Sequence, residues 1–310
     1  MTPTDYRPPE KQAKRLGRWA REWASFATLP FSTKAPEKYS RLLYDNGFGP
    51  ATSFGEESMF QDFGYWANSP KTLDEACTEL ARLVANEAHL SPDDVVIDVG
   101  CGYGDQDFVW AIEFDVKEIV GVNVAPGQIE IANARARELG LDGTVRHLLG
   151  SASSIPRPDS SGTKVTAMES AFHFPSRAEF FAEAFRVLEP GGRIVTADMI
   201  PLPRDQVSSR LRGIRPVGPM VHWLFMPDRK NRPTLAEYRD AMEHAGFVNV
   251  KLYSIRDHVF KPYAAFMKNR LRDPEMARVN PAGRIFLGNI GASFWGTWLD
   301  YVVASADKPR

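Results

Sequence analysis

VVIDVGCGYGDQDF, residues 95–108, sets a short apolar run against glycines at 100, 102 and 104. Five residues rich in Val and Ile read as a strand buried on both faces. The glycines free the backbone to turn sharply, and from Asp105 the pattern is that of a helix start. A strand–turn–helix of this kind holds something small and polar against backbone amides.

Outward from that stretch, helix and strand alternate from residue 72. TLDEACTELARLVANEA (72–88) reads as a helix with Thr72 as N-cap and Glu75 closing a capping box. VVIDV is strand 1, DQDFVWAIE a helix, IVGVNV strand 2 and PGQIEIANARARELG a helix with Pro first and Gly after its end. VRHLL and KVTAME are strands 3 and 4, SRAEFFAEAFRVLEPGG is a helix stopped by Pro190-Gly191-Gly192, and RIVTADMI is strand 5. After a Pro-, Arg- and aromatic-rich interruption at 201–233, TLAEYRDAMEHAGF resumes as a helix, then VNVKLYSI and LDYVVASA as strands. Apolar strands separated by helices imply a largely parallel sheet covered on both faces.

The glycine spacing limits the ligand. Dinucleotide enzymes use G-x-G-x-x-G; here the spacing is G-x-G-x-G, and Asp105 stands where the third dinucleotide glycine belongs. Asp98 adds a second carboxylate, and two anions at a pyrophosphate site cost binding. There is no G-K-[ST], which excludes a P-loop. A cationic ligand suits these acids. S-adenosylmethionine carries a sulfonium and an ammonium and no phosphate; Asp98 would reach the ammonium directly or through water. The place of the acid that normally ends strand 2 and holds ribose hydroxyls is taken by Asn123.

Four segments in order resemble the class I S-adenosylmethionine-dependent methyltransferases: DVGCGYG (98–104), IVGVNVAPGQIEIANARA (119–136), GSA (150–152) and FRVLEPGGRIVTAD (185–198). The resemblance runs from about residue 55 to the C-terminus. FGYW, QDFVW, ESAFHF, ADMIPL and LDYVVASADKP are similar to the subgroup that methylates sugars and hydroxyls of natural products. It implies a seven-stranded, mostly parallel Rossmann-like α/β sheet with the last strand antiparallel, plus a helical cap. It also implies a cofactor site built from Tyr65, Asp98, Gly100, Gly102, Gly104, Gln106, Asn123, Val124, Gln128, Ser151, Ala152 and Glu169. Tyr65 would bond the cofactor carboxylate; ordinary aromatic packing is the alternative for it and for Trp66. The Asn123 departure predicts weaker cofactor affinity, not a different cofactor.

Ligands of open α/β sheets bind beyond the carboxyl ends of the strands. Glu169 and His173 follow strand 4, and Asp198 lies near the end of strand 5. A hydroxyl is a weak nucleophile and gains from a base. An imidazole suits that task, so His173 is the expected base, with Asp198 orienting it. Glu169 is expected to line the adenosine or substrate site. The structural alternatives are a histidine and an aspartate that merely cap turns or helices. His222 reads as a pocket or core residue.

The bulk properties agree with a cytoplasmic enzyme. With 38 basic and 39 acidic residues the net charge is −1, which gives no support for nucleic-acid binding. Neither a signal peptide nor a bilayer-long apolar run is visible. Cys77 and Cys101 lack metal-ligand spacing, so neither zinc nor a disulfide is expected. Leu16, Trp19 and Trp23 repeat at helical spacing, which fits a helix covering the core or substrate mouth better than a membrane-surface helix. The expected organisation is a helical and aromatic N-terminal segment over the active site (1–70), a cofactor-binding core (71–200), a substrate cap (201–233) and the remaining core (234–310) with a lid at 258–298. The aromatics of cap and lid suit a bulky small-molecule acceptor; a homo-oligomer is left open. The expected activity is methyl transfer to a hydroxyl of a hydrophobic or glycosylated natural product. One rival is C-methylation of an isoprenoid, with Glu169 removing a proton afterwards and, for a prenyl diphosphate, roles for Mg²⁺ and for basic residues such as Arg210, Arg212 and Arg215. The other is a scaffold that binds cofactor without turnover.

Overall fold

The computed structural model describes residues 12–28, 36–47, 49–203, 205–207, 226, 228–281, 283–284 and 295–310. Seven strands make one sheet: β1 Val95–Val99, β2 Glu118–Asn123, β3 Val145–Leu149, β4 Gly162–Met168, β5 Leu188–Pro201, β6 Val248–Ser254 and β7 Leu299–Asp307. Their order is β3-β2-β1-β4-β5-β7-β6. β1 to β5 pair in parallel, while β7 is antiparallel to both neighbours. The antiparallel last strand is as expected, and it lies between β5 and β6. The strand order reverses between β1 and β4, which opens a crevice at their carboxyl ends.

Among the described residues the helices are α1 Gln12–Thr28, α2 Pro36–Arg41, α3 Leu73–Ala88, α4 Asp105–Glu113, α5 Pro126–Glu138, α6 Arg177–Val187, α7 Leu235–His244 and α8 Phe260–Arg270. Side chains alternate across the sheet. Val96 joins one core layer with Leu80, Ala81 and Trp110, and Ile97 joins the other with Phe180, Phe181 and Tyr238. The strand thus reads as continuously apolar because both faces are covered. Trp110 is fully buried, and its indole N–H donates to the Ala81 carbonyl at 2.8 Å.

Two local expectations change. Thr72 caps α3 by accepting from Glu75 N, but the Glu75 carboxylate accepts from Lys71 N, one residue short of closing the box. The reciprocal box forms instead at α7, between Thr234 and Glu237. Pro190-Gly191-Gly192 does not stop a helix: α6 ends at Val187 and the three residues lie within β5. Buried Leu188 pairs with Gly162, and Gly191, at φ +82°, donates to the Lys308 carbonyl. The glycines let the strand kink against the chain beyond β7.

α1 lies on the protein through Arg18 and Trp19, which both donate to the Arg278 carbonyl. Leu16 and Trp23 on the same helix stay exposed. Among the described residues no helix is long and apolar enough to cross a membrane. Arg210, Arg212, Arg215 and His222 lie outside the described residues.

Candidate active site

A cleft of about 890 Å³ opens at the carboxyl ends of β1, β2 and β4. Gly100, Gly102, Gln106, Asn123, Val124, Gln128, Ala152, Glu169 and His173 line it, so most of the expected set meets there. The glycines serve separate needs. Gly100 sits at φ +86°, and a Cβ there would come within 2.2 Å of the Ser170 Cβ. Gly102, at φ +56°, has nothing within 4 Å of that position. The first lets β1 and β4 close up; the second leaves backbone bare toward the cleft. Gly104, at φ +82°, leaves room for the His147 ring.

The acids are arranged differently from expectation. Asp98 is fully buried and does not face the cleft. It accepts from Thr166 Oγ1 at 2.6 Å and from Gln106 Nε2 at 2.8 Å. Any effect on a ligand ammonium therefore passes through Gln106, whose amide also bonds the Cys101 carbonyl. Asp105 forms a two-pronged pair with Arg135 at 2.8 Å and accepts from Met59 N. Its charge is compensated, so it does not repel phosphate as the sequence suggested. Asn123 is held in an amide chain: its Oδ1 accepts from Val124 N, its Nδ2 donates to Gln128 Oε1, and Gln128 Nε2 donates to Gln61 Oε1.

Tyr65 and Ser151 fall outside the cleft. The Tyr65 ring packs edge-on against His258, 5.7 Å between centroids. Ser151 Oγ accepts from Ser153 N and shapes the turn that presents Ala152.

A second chamber of about 660 Å³ adjoins the first and is walled by Leu43, Phe54, Phe63, Leu73, Phe172 and Tyr263. Tyr44, Phe60, Gln61, Asp62, Glu169 and His173 line both chambers and so form their junction. Of the lid aromatics expected to build the acceptor wall, Tyr263 does so; Phe260 and Trp295 pack on Phe63 in the core.

Two carboxyl groups mark the junction. Glu169, just past β4, sits at φ +46° and accepts from Phe63 N at 3.0 Å. Asp62 accepts from Gly64 N at 2.9 Å. Burial raises both: Asp62 reaches about 6, and Glu169 is pushed well above the carboxylate range by burial and by Asp62. Among the described residues lining the two chambers there is neither Lys nor Arg. This environment fits a positively charged ligand.

His173 lies in a short 3₁₀ turn, Ala171–His173, and its Nε2 is 2.8 Å from the Tyr44 hydroxyl. Asp198 does not orient it. The Asp198 carboxylate is fully buried and binds Arg177, with Nε at 2.7 Å and Nη2 at 3.2 Å. Arg177 also donates to the carbonyls of Asn231 and Met199. Asn231 in turn donates to the carbonyls of Ala171, Phe172 and Phe174. A guanidinium buried in the same layer offers Asp198 a stronger partner than a neutral ring could. Asp198 thus holds the turn that carries His173, two links away.

Sequence reasoning missed Tyr44, Asp62, Arg177 and Asn231. Asp62 carried a faint signal, an acid between Phe60 and Phe63. Tyr44 is 129 residues from His173 and had none.

A model described as a methyltransferase domain matches residues 97–196. Erythromycin 3''-O-methyltransferase of Saccharopolyspora erythraea is 32% identical over 88% of this chain and 91% of its own length. The 27-O-demethylrifamycin SV methyltransferase of Amycolatopsis mediterranei is 30% identical over 79% and 89%. The geranyl diphosphate C-methyltransferase of Streptomyces coelicolor A3(2), solved with Mg²⁺, geranyl diphosphate and S-adenosyl-L-homocysteine, superimposes at TM-score 0.59 over 76% of this chain and 80% of its own. Its 23% identity speaks for the fold alone.

Proposed function

The chain belongs to the S-adenosylmethionine-dependent methyltransferases of natural-product biosynthesis, and on that premise we propose that His173 is the base that takes the acceptor hydroxyl's proton. S-adenosylmethionine is the cofactor, and it supplies an electrophilic methyl on a sulfonium. The residues suited to hold it are Gly100, lining the cleft; Gly102, with backbone open to it; Gln106, fixed by Asp98; and the Asn123–Gln128 amide pair. The fit rests on the bare Gly102 position and on the lack of Lys or Arg among the described lining residues.

The observation that carries the reading is the contact between His173 Nε2 and the Tyr44 hydroxyl at 2.8 Å, at the junction of a polar cleft and an apolar chamber. A hydroxyl already sits at hydrogen-bond distance from the imidazole. An acceptor hydroxyl entering from the apolar chamber would take the same place, and its proton would pass to Nε2. Asp62 and Glu169 favour the cationic cofactor in the ground state, while Phe60, Phe63 and Phe172 exclude water from the junction. Arg177 and Asn231 fix the turn and so the direction of the ring. The acceptor is a small molecule whose hydroxyl lies on a bulky, largely apolar body, as the named relatives' products suggest.

The C-methylation reading has one observation in its favour, a buried carboxyl at the junction in Glu169. The test is labelled S-adenosylmethionine with host small-molecule extract, followed by mass spectrometry of what gains a methyl. On the acceptor found, His173→Ala is expected to lower turnover by about 10²–10⁴-fold and to remove the acid limb of the pH–rate profile, with cofactor affinity little changed. Near-full turnover in His173→Ala alongside a dead Glu169→Gln would overturn the assignment.

A further inference from the structure

Beneath the glycine turn, on the side away from methyl transfer, three side chains from separate segments converge. The donor atoms of Cys101, Asp107 and His147 all lie within 4.8 Å of one another. Cys101 belongs to the turn, Asp107 to α4 and His147 to β3. All three are buried. Gly121 of β2 has no side chain where they meet: a Cβ there would come within 2.5 Å of His147, 2.8 Å of Cys101 Sγ and 2.9 Å of Asp107 Oδ2.

The hydrogen bonds decide which nitrogen of His147 carries its proton. Asn133 Nδ2 donates to the His147 carbonyl, and Asn133 Oδ1 accepts from His147 N, both at 2.9 Å. Those two bonds fix the amide, so Oδ1 also faces His147 Nδ1 at 3.3 Å. Nδ1 therefore bears the hydrogen. In the neutral ring Nε2 then presents a lone pair. That lone pair points at Asp107 Oδ2, 3.0 Å away. The other oxygen, Asp107 Oδ1, is buried and meets no donor among the described residues. Asp98 stands close by as a second buried carboxyl, held by Thr166 and Gln106. Lone pairs, a thiol and a carboxylate thus meet at one buried point.

From this geometry we infer that Cys101, Asp107 and His147 bind a zinc-type divalent ion beneath the glycine turn. Thiolate, carboxylate and neutral imidazole make the donor set that such an ion prefers over Mg²⁺ or Ca²⁺. A dication with one thiolate, one carboxylate and one neutral imidazole carries no net charge, which suits a dry site. Binding releases the thiol proton, and any proton held by Asp107, to solvent. The Nδ1–H bond to Asn133 supplies the support a metal-bound imidazole requires. Cys101 lines the cofactor cleft, which gives the ion a way in. The ion would tie the turn to α4 and β3, stiffening the cofactor's seat without touching the reacting methyl. The spacing of 6 and 40 residues between ligands matches no familiar motif, and so the sequence hid it.

The test uses the full chain, stripped with a chelator and titrated with Co²⁺ alone. The expected result is one Co²⁺ per chain with a near-ultraviolet thiolate-to-cobalt charge-transfer band, displaced by Zn²⁺. The band persists in Cys77→Ala and is lost in Cys101→Ser; His147→Gln weakens Co²⁺ binding at least about tenfold, consistent with losing one ligand. Zn²⁺ raises Tm in the wild type, as a ligand of the native state must. Circular dichroism checks that each variant folds. If Cys101→Ser does not fold, the Cys77→Ala result still assigns the thiolate, because the chain has only two cysteines. Absence of the band in the wild type, its persistence in Cys101→Ser, or its loss in folded Cys77→Ala overturns the proposal.

Discussion

Replacing Asp198 by Ala separates two roles that a carboxylate near a histidine can play. In the structure Asp198 is fully buried and holds Arg177 by two hydrogen bonds, and it also accepts from Met199 N at 2.8 Å. Removing it leaves a guanidinium, itself buried, without its counter-charge. Breaking one side of a buried pair costs about 3–5 kcal/mol. Urea unfolding of Asp198→Ala should show that loss as a lower midpoint at an unchanged slope. An Asp198→Leu/Arg177→Met pair should recover much of it, because both charges leave together. Turnover, measured well below the unfolding transition, should fall far less than in His173→Ala. The acid limb of the pH–rate profile should survive, because the imidazole is still present. The opposite pattern refutes the reasoning: full stability with collapsed turnover would mean that Asp198 meets the base directly in the working enzyme.

Three further outcomes follow from the site. Gly100→Ala should weaken cofactor binding by about tenfold or more, about 1.4 kcal/mol, since its Cβ would strike Ser170 at φ +86°; Gly102→Ala, with open space at that position, should destabilise the fold less, and calorimetry with unfolding of both variants compares them. Asp62 rises from 3.8 to about 6 on folding, so the stability it contributes is present below 3.8 and is lost as pH climbs through about 6. Asp62→Asn should therefore stabilise the ligand-free protein by at most about 3 kcal/mol at neutral pH and by almost nothing near pH 4, while cofactor affinity should lose its decline below about pH 6; a difference independent of pH would remove Asp62 from this role. Asn123→Asp should change cofactor affinity by no more than about 1 kcal/mol, because a better ribose contact is offset by the lost bond to Gln128; tightening well beyond tenfold in a titration would show that the amide chain does not oppose the acid.

The parts of the fold legible in the sequence are those set by local physics. Val95–Val99 alternates between two covered faces, the glycines can only turn, and Pro126 opens α5 where its missing N–H costs nothing. The site was legible as far as the strand ends go, which is why Asn123, Glu169 and His173 meet in one cleft. What stayed hidden is the choice among partners. Asp198 was expected to hold the histidine and instead holds Arg177, because a buried carboxylate is well held by a charged, two-pronged donor. Tyr65 turned to His258 while Tyr44, from a segment with no motif, filled the space at His173. Pro190-Gly191-Gly192 looked like a helix stop because the pairing of Gly191 with Lys308 is remote in sequence.

The place of β7 has a consequence for how the chain reaches its fold. Among the described residues β6 pairs with β7 and with no other strand, and β7 joins it to β5. A nascent chain can therefore complete β1 to β5 early, yet must hold β6 unpaired, and the edge of β5 bare, until residues 299–307 arrive. That closure joins segments more than a hundred residues apart, Thr196 with Ala304 for example, and distant pairings form slowly. A chain halted before residue 299 would expose two unsatisfied strand edges, the form most prone to aggregate. Yield in a cell is then governed by the last strand to emerge.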